Sequence, residues 1–445
     1  MRMRRTTTAS VSLAVMAWAA PCLAQHEHHA APAASPSPSP TPRPTLFESD
    51  MSRMTGMTAH DPMAGMAMPS WSFMVMGIAR LQFNDQGGPS GDEAIESSNW
   101  NMLMLQRDLG GGHLTFMMMN SLEPATFPEG GTPELFQTGE AFNGQPLVDH
   151  QHPHDFFMNL SATYRHPVGA GAVWLQLAPV GEPALGPVAF MHRASAGENP
   201  TAPLGHHWLD STHITSNVIT AGWGQGRVAL EASAFHGREP DEHRWDIDGG
   251  SPDSVSARLK LRLGRGWSAQ VSHGFVADAE ELVPGDLRRT TASLHYGDEG
   301  DRPLAVSLAW GRNDEEHGTS DAFLAEGAWQ ATRHDHVFAR AERVEKDREL
   351  LAEKHLHTDD VAEAEELVPV GALTVGYVRS LRLVGSLDLG LGADVTLYNV
   401  PSSLHEAYGA HPVSTHVFAR LRWGRPHGAH GAHGGHGAAH GSHGP

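Results

Sequence analysis

Residues 147–179, LVDHQHPHDFFMNLSATYRHPVGAGAVWLQLAP, carry the pattern that decides the predicted fold. From Phe156 to Tyr164, apolar side chains alternate with mostly polar ones. A turn with proline and glycine follows over 166–171, and a second alternating run begins at Val173. A period of two with one apolar face is typical of a β-strand that is wet on its other face. The stretch therefore predicts a β-hairpin with three histidines directly before it.

Alternating runs of the same kind recur along the chain and predict about sixteen strands. In the clearest run, valine, alanine and leucine alternate with serine, arginine and lysine between Ser254 and Leu263. The approximate cores of the predicted strands are Trp71–Phe83, Ser98–Arg107, His113–Ser121, Phe156–Tyr164, Val173–Leu177, Thr212–Gly222, Val228–Phe235, Ser254–Leu263, Trp267–Phe275, Thr290–Tyr296, Leu304–Trp310, Phe323–Ala331, His336–Arg343, Gly371–Tyr377, Leu383–Tyr398 and Val413–Trp423.

Short and long connections alternate between these runs. Arg107–His113 is predicted as a tight turn, for example, whereas Leu122–Asp155 and Arg312–Ala322 are predicted as long loops. Such alternation is typical of an outer-membrane barrel, with an apolar face toward lipid and a polar face toward the lumen. We therefore predict an all-β fold, an antiparallel transmembrane β-barrel of about sixteen strands over 71–424, with both termini in the periplasm. A soluble sandwich or propeller is the alternative, but no blade-length repeat is present.

The N-terminus indicates export. Residues 1–24 combine three early arginines, an apolar run and a small-x-small site before Gln25, which is typical of a signal peptide. Lipidation of Cys22, the chain's single cysteine, is an alternative. Cleavage after Ala24 leaves no thiolate ligand, so histidine, methionine and carboxylates would have to bind any metal.

The segment 25–70 is predicted to be disordered and to bind metal. It begins with a His/Pro-rich stretch and continues with methionines at a period of three, which does not match a helix. Thioethers select soft ions such as Cu(I), and imidazole binds Cu(II) and Zn(II). The alternative is a linker that binds nothing. The candidate ligands are Met51, Met54, Met57, His60, Met63, Met66 and Met68.

The C-terminal segment 425–445 is a Gly/His tract that is also predicted to be disordered. Such a tract cannot form a core, and its physical role would be exchangeable metal binding. A solvated tail is the alternative. The candidate ligands are His427, His430, His433, His436, His440 and His443.

A third candidate cluster lies in two predicted long loops at the same barrel end. Both loops are rich in histidine and carboxylate, and the second has helical spacing between its ligands. The loops could meet and fold into the mouth. The alternative is a plug of mutual hydrogen bonds without metal. The candidate ligands are His150, His152, His154, Asp155, His206, His207, Asp210 and His213.

Charge and motifs exclude other classes. The formal net charge is −20, which argues against a nucleic-acid partner. The chain has no G-x-S-x-G, H-E-x-x-H or Walker motif, and we expect no enzyme activity. The partners expected are outer-membrane lipid, transition-metal ions and periplasmic metal carriers.

The order of signal peptide, Met/His-rich segment and barrel resembles the copper-resistance B proteins of Gram-negative bacteria. The resemblance covers Gln25 to Pro69 and the barrel type, and it implies copper handling in the envelope. We therefore expect an outer-membrane barrel that binds or passes copper or a related transition metal for tolerance or homeostasis. The alternatives are a general diffusion porin with incidental His/Met tails, and a structural or adhesion barrel.

Overall fold

The computed structural model describes residues 70–280, 285–298, 302–316, 318–353, 367–382 and 387–424. The predicted signal peptide, the methionine segment up to residue 69 and the Gly/His tail from residue 425 lie outside the described residues. The candidate ligands predicted in those segments therefore stay predictions.

The described chain is almost entirely β-structure. Its strands are β1 (Ser72–Gln86), β2 (Glu93–Leu109), β3 (Gly112–Asn120), β4 (Thr132–Phe142), β5 (Gln145–Gln151), β6 (Phe157–Val168), β7 (Gly171–Gly181), β8 (Thr215–Gln225), β9 (Val228–Phe235), β10 (Ser254–Gly264), β11 (Trp267–Val276), β12 (Leu287–Asp298), β13 (Leu304–Glu315), β14 (Gly318–Gln330), β15 (Asp335–Asp347), β16 (Leu367–Arg382), β17 (Asp388–Asn399) and β18 (Val413–Trp423).

Sixteen of these strands form a closed antiparallel barrel, and β4 and β5 form a separate two-stranded sheet. Each barrel strand pairs with its neighbours along the chain except where β3 pairs with β6, past the β4–β5 hairpin. β1 closes the barrel on β18, with Gly77 opposite Trp423. The predicted fold class is therefore confirmed. The start of β1 and the end of β18 lie at the same end of this seam, so the chain enters and leaves the barrel there. The tight turns lie at that end too. We call it the turn end, and the opposite one the loop end.

The barrel is apolar outside and polar inside along most of its wall. On β10, Val255 exposes 56% of its surface, whereas Ser256 and Arg258 are buried toward the lumen. Other apolar side chains that are exposed on the outer face include Phe73, Leu81 and Ile95. The alternation read from the sequence is thus the alternation of the barrel's two faces.

Two predicted connections differ from the structure. The loop predicted over Leu122–Asp155 contains the β4–β5 hairpin, whose register is irregular and which does not join the barrel. The long loop predicted over Arg312–Ala322 is wrong, because β13 and β14 pair as far as Glu315 opposite Gly318. The polar residues at the ends of these two strands predict a loop, but strand pairing continues through them because backbone hydrogen bonds do not depend on side-chain polarity.

Short helices occur only in the connections of the described chain. They are α1 (Glu123–Thr126), α2 (His206–Leu209), α3 (Arg348–Glu353) and α4 (His405–Tyr408). None of the helices in the described ranges is long and apolar enough to cross a membrane. At the loop end, the β4–β5 hairpin packs its Phe136 ring against the rings of Tyr398 and Tyr408, 5.3 and 4.2 Å away between centroids. These contacts join the hairpin to a buried cluster beneath the outer loops.

Aromatic rings cover glycines on neighbouring strands of the wall. Gly376 lies directly opposite Phe338, and a Cβ added at Gly376 would be 2.1 Å from the Phe338 ring. The pairs Gly222–Trp174 and Gly392–Phe418 repeat this arrangement. Each ring occupies the space of the missing side chain, so glycine is required there by close approach.

Gly376→Ala is expected to destabilise the barrel by about 1–3 kcal/mol, because the new methyl group overlaps the Phe338 ring. Gly297→Ala is the matched control, since a Cβ there meets nothing within 4 Å. Urea unfolding of the refolded protein in lipid vesicles measures both. Equal stabilities for the two variants would contradict the packing argument.

Candidate metal centre in the barrel interior

The connection between β7 and β8, residues 182–214, folds into the lumen and contacts the wall on many sides. We call it the plug. Arg340 on β15 donates to the Thr201 and Ala202 carbonyls at 3.1 and 2.9 Å. Arg289 on β12 donates to Ser211 Oγ at 2.9 Å, and Arg80 on β1 donates to the Gly197 carbonyl at 2.9 Å. The plug is therefore held from opposite sides of the barrel.

Charged groups of the plug are buried and paired. Arg193 binds Glu326 of β14 through Nε at 2.6 Å and Asp210 of the plug through Nη1 at 2.8 Å. Arg340 binds the second oxygen of Glu326 at 3.1 Å. Removing one member would leave an uncompensated buried charge, which costs about 3–5 kcal/mol. The network therefore fixes the plug in position.

Residues 121–156 bring a second set of histidines to the plug. Glu123 of α1 is buried and accepts from both the backbone N–H and the ring Nδ1 of His154, at 3.0 and 2.6 Å. Arg244, from the β9–β10 connection, binds Glu140 and Asp155. These contacts hold the chain against the plug just before β6 begins.

Five buried histidines from the two segments form one cluster. The ring centroids of His206 and His213 are 5.2 Å apart, and those of His154 and His213 are 5.3 Å apart. His152 lies 6.3 Å from His206, and His207 lies 5.3 Å from His206. The two histidine-rich loops therefore meet inside the barrel.

Three of these rings are held at Nδ1, and their Nε2 atoms lack a partner. Nδ1 of His154 is bound to Glu123, and that of His206 to Asp210 at 2.7 Å. Nδ1 of His213 is 2.8 Å from the Asp210 carbonyl oxygen. Within the described part of the chain, the buried Nε2 atoms of His154, His206 and His213 have no hydrogen-bond partner. A ring that donates from Nδ1 presents a lone pair at Nε2, as metal-bound histidines do.

His152 and His207 also have an Nε2 without a hydrogen-bond partner in the described part of the chain, but a carboxylate lies close to each ring. His152 Nε2 is 3.0 Å from Glu140 Oε1, and His207 Nδ1 is 3.3 Å from Glu239 Oε1. Burial acts to lower the pKa of His207, but Glu239 outweighs it and the pKa is raised. His207 is therefore the ring of the cluster that best holds a proton, and it is the poorest ligand.

The rings of His152, His206 and His213 are favoured in the neutral form. Burial away from water lowers the pKa of His213 and His152 well below the usual range, with a further contribution from neighbouring positive charge. Burial also lowers the pKa of His206, although Asp210 opposes it, and lowers that of His192 to about 3. Neutral imidazole is the form that binds metal.

The remaining predicted loop residues have other contacts. His150 is only half-buried, and its Nδ1 is 3.1 Å from the Val148 carbonyl oxygen. Asp155 accepts from Arg244 at 3.3 Å, and Asp210 orients His206 and His213. In the described ranges, no group of three His, Cys, Asp or Glu side chains stands in an arrangement that could hold a metal ion. The predicted metal-binding role of the loop residues is therefore untested.

Glu123 is a site residue that the sequence did not single out. It lies 31 positions before His154, in a segment predicted only as a long loop. No motif links the two residues. Only the folded path of the chain brings this carboxylate to the ring.

Acid is expected to loosen the plug of the metal-free protein. Below pH ~6.5, histidines of a detached plug take up protons. In the folded plug, the pKa of His206 is lowered and that of His213 lies well below its usual range, so acid favours detachment. For each such ring, the free energy that favours the docked plug falls by about 1.4 kcal/mol per pH unit between pH ~6.5 and the lowered pKa. The raised pKa values of His207 and of the Glu182 carboxyl in the plug act in the opposite direction.

Amide hydrogen exchange of residues 182–214, compared at pH 7.5 and pH 5 after correction for intrinsic rates, measures this effect. The barrel strands serve as the internal control. Unchanged or stronger protection of the plug at pH 5 would contradict the expected direction.

No known protein family matches the chain, and no curated protein matches it. Solved structures resemble it over most of its length. An anion-selective porin from Comamonas acidovorans is 12% identical with a TM-score of 0.49, over 80% of this chain and 100% of the porin. OmpF of Salmonella typhi, in complex with daunomycin, is 10% identical with a TM-score of 0.49, over 79% and 97%. OprB of Pseudomonas putida is 11% identical with a TM-score of 0.48, over 80% and 94%.

These comparisons contain nothing specific to copper. The three structures do not test the resemblance to the copper-resistance B proteins. That resemblance stays a prediction.

Proposed function

We propose that this chain is an outer-membrane barrel that binds a borderline transition-metal ion, Cu(II) or Zn(II), between its plug and residues 121–156, at His154, His206 and His213. The observation that carries the proposal is the shared state of the three rings. Each is buried, each is held at Nδ1, and each has an Nε2 without a partner among the described residues. Buried polar atoms are rarely left unsatisfied, and three together need a reason.

The outer membrane is supported by the barrel's outer surface. Apolar side chains on that surface are widely exposed, with Phe73 at 74% and Ile95 at 75%. Closure of β1 on β18 leaves no free strand edge, as spanning structures in lipid require. Since tight turns are typically periplasmic, the turn end and both chain termini would face the periplasm. Periplasmic metal carriers would then meet the predicted His/Met segments there.

The spacing of the rings suits a shared ion. Imidazole nitrogens lie about 2.0–2.1 Å from Zn(II), so rings around one tetrahedral ion have centroids about 5 Å apart. The separations of 5.2 and 5.3 Å are of this size. The described side chains do not yet form a ligand set, so ring rotation would have to accompany binding. Glu123 and Asp210 would then orient the ligands through Nδ1.

Glu123→Gln is expected to weaken Cu(II) or Zn(II) binding at the plug by about 10–100-fold, because His154 loses the carboxylate that orients its ring. The triple change His154→Ala, His206→Ala, His213→Ala is expected to remove one ion per chain. His150→Ala is the control, since His150 lies outside the cluster. Equilibrium dialysis of the full-length protein measures all four proteins. A triple variant that binds as many ions as wild type would overturn the proposal.

Diffusion of small polar solutes is a second candidate, supported by the closed sixteen-strand barrel and its polar lumen wall. The paired charges that hold the plug across the lumen argue against a permanently open pore. Planar-bilayer recording separates the two candidates. We expect little steady conductance from wild type, and a stable open-pore current would favour the porin function.

A further inference from the structure

A group of six methionines lines the lumen at the turn end. On β1–β3 the even-numbered residues of β1 and β2 and their partners on β3 face inward, whereas Phe73, Leu105 and Phe116 are exposed outside. The inward residues near the turn end are Met74, Met76, Met102, Met104, Met117 and Met119. We call this group the methionine patch.

The strand register aligns the patch in two rows of three. Met102 lies opposite Met76 on one side and Met119 on the other. In the second row, Met104 lies between Met74 and Met117. Directly opposite residues of an antiparallel pair have Cβ atoms about 4.5–5.5 Å apart. Each row therefore places three flexible thioethers within reach of one point.

The patch differs from the lumen wall nearer the loop end on the same strands. There the inward residues are polar, and Gln82, Asn84 and Glu96 share hydrogen bonds. In the patch, Met76, Met102, Met104 and Met119 are each no more than 4% exposed. Met191 of the plug packs against them. The change from amide and carboxylate to thioether is a change from hard to soft ligands.

We propose that the methionine patch is a binding site for a soft monovalent ion, Cu(I) or Ag(I). A thioether carries no charge and binds hard cations poorly, so three sulfur atoms in a buried row select soft ions over Zn(II) or Ca²⁺. This proposal rests on the proposed metal function and adds a second site for a softer ion. The second site uses none of the histidines. It would bind the reduced ion near the turn end, where the described chain enters the barrel.

Silver titration of the full-length protein in detergent micelles tests the proposal. The test variant combines Met102→Leu, Met104→Leu, Met117→Leu and Met119→Leu, which conserves volume and removes the sulfur atoms. Met118→Leu is the matched control, because Met118 lies between two patch residues but pairs with the outward Leu103. We expect the fourfold variant to bind at least one Ag(I) fewer per chain, and the control to bind as wild type does.

Heat-modifiable gel migration establishes that each variant is folded. If the fourfold variant does not fold, Met102→Leu with Met119→Leu removes two sulfurs from one row, and at least 10-fold weaker binding at one silver site is expected. Unchanged silver binding in the folded variant would overturn the patch as a site. The triple histidine variant separates the two proposals, since it should lose Cu(II) or Zn(II) and keep the silver that the patch binds.

Discussion

The Asp210 carboxylate links the barrel wall to the candidate metal centre. One oxygen binds Arg193, which is bound in turn to Glu326 on β14, and the other binds Nδ1 of His206. The salt bridge keeps Asp210 ionised, since Arg193 holds the pKa of this carboxyl far below its usual range against the effect of burial. The backbone carbonyl of the same residue accepts from His213. The orientation of two rings therefore depends on an ion pair with a barrel strand.

The interior is divided between two kinds of proposed ligand. Histidines are held by carboxylates where the plug meets residues 121–156, and methionines line β1–β3 toward the turn end. The two groups adjoin, because Ile214, the residue after His213, is buried in the same cluster as the patch methionines, and Met191 of the plug packs against that cluster. An ion that changes between Cu(II) and Cu(I) would therefore find preferred ligands for both states within one lumen.

The barrel could be predicted from the sequence because the alternation of apolar and polar residues can be recognised within a single strand. Most barrel strands alternate between an exposed apolar face and a polar inward face, so sixteen runs such as Ser254–Leu263 can be identified one at a time. The meeting of His154 with His213 could be suggested from loop positions, and the i to i+4 contact of His206 with Asp210 from spacing. The contact of Glu123 with His154 and the rows of the patch could not be predicted. They depend on loop path and strand register, which no single segment encodes.

The contacts of Gly197 and Glu198 have a consequence for biogenesis. Arg80 of β1 and Arg422 of β18 both donate to the Gly197 carbonyl at 2.9 Å, and Arg420 of β18 binds Glu198. A segment from the middle of the chain thus binds both the first and the last strand, across the seam where the barrel closes. The contacts of Gly197 and Glu198 with β18 can form only after this last strand has folded into the barrel. The last contacts of the plug are therefore expected to form together with the closure of β1 on β18.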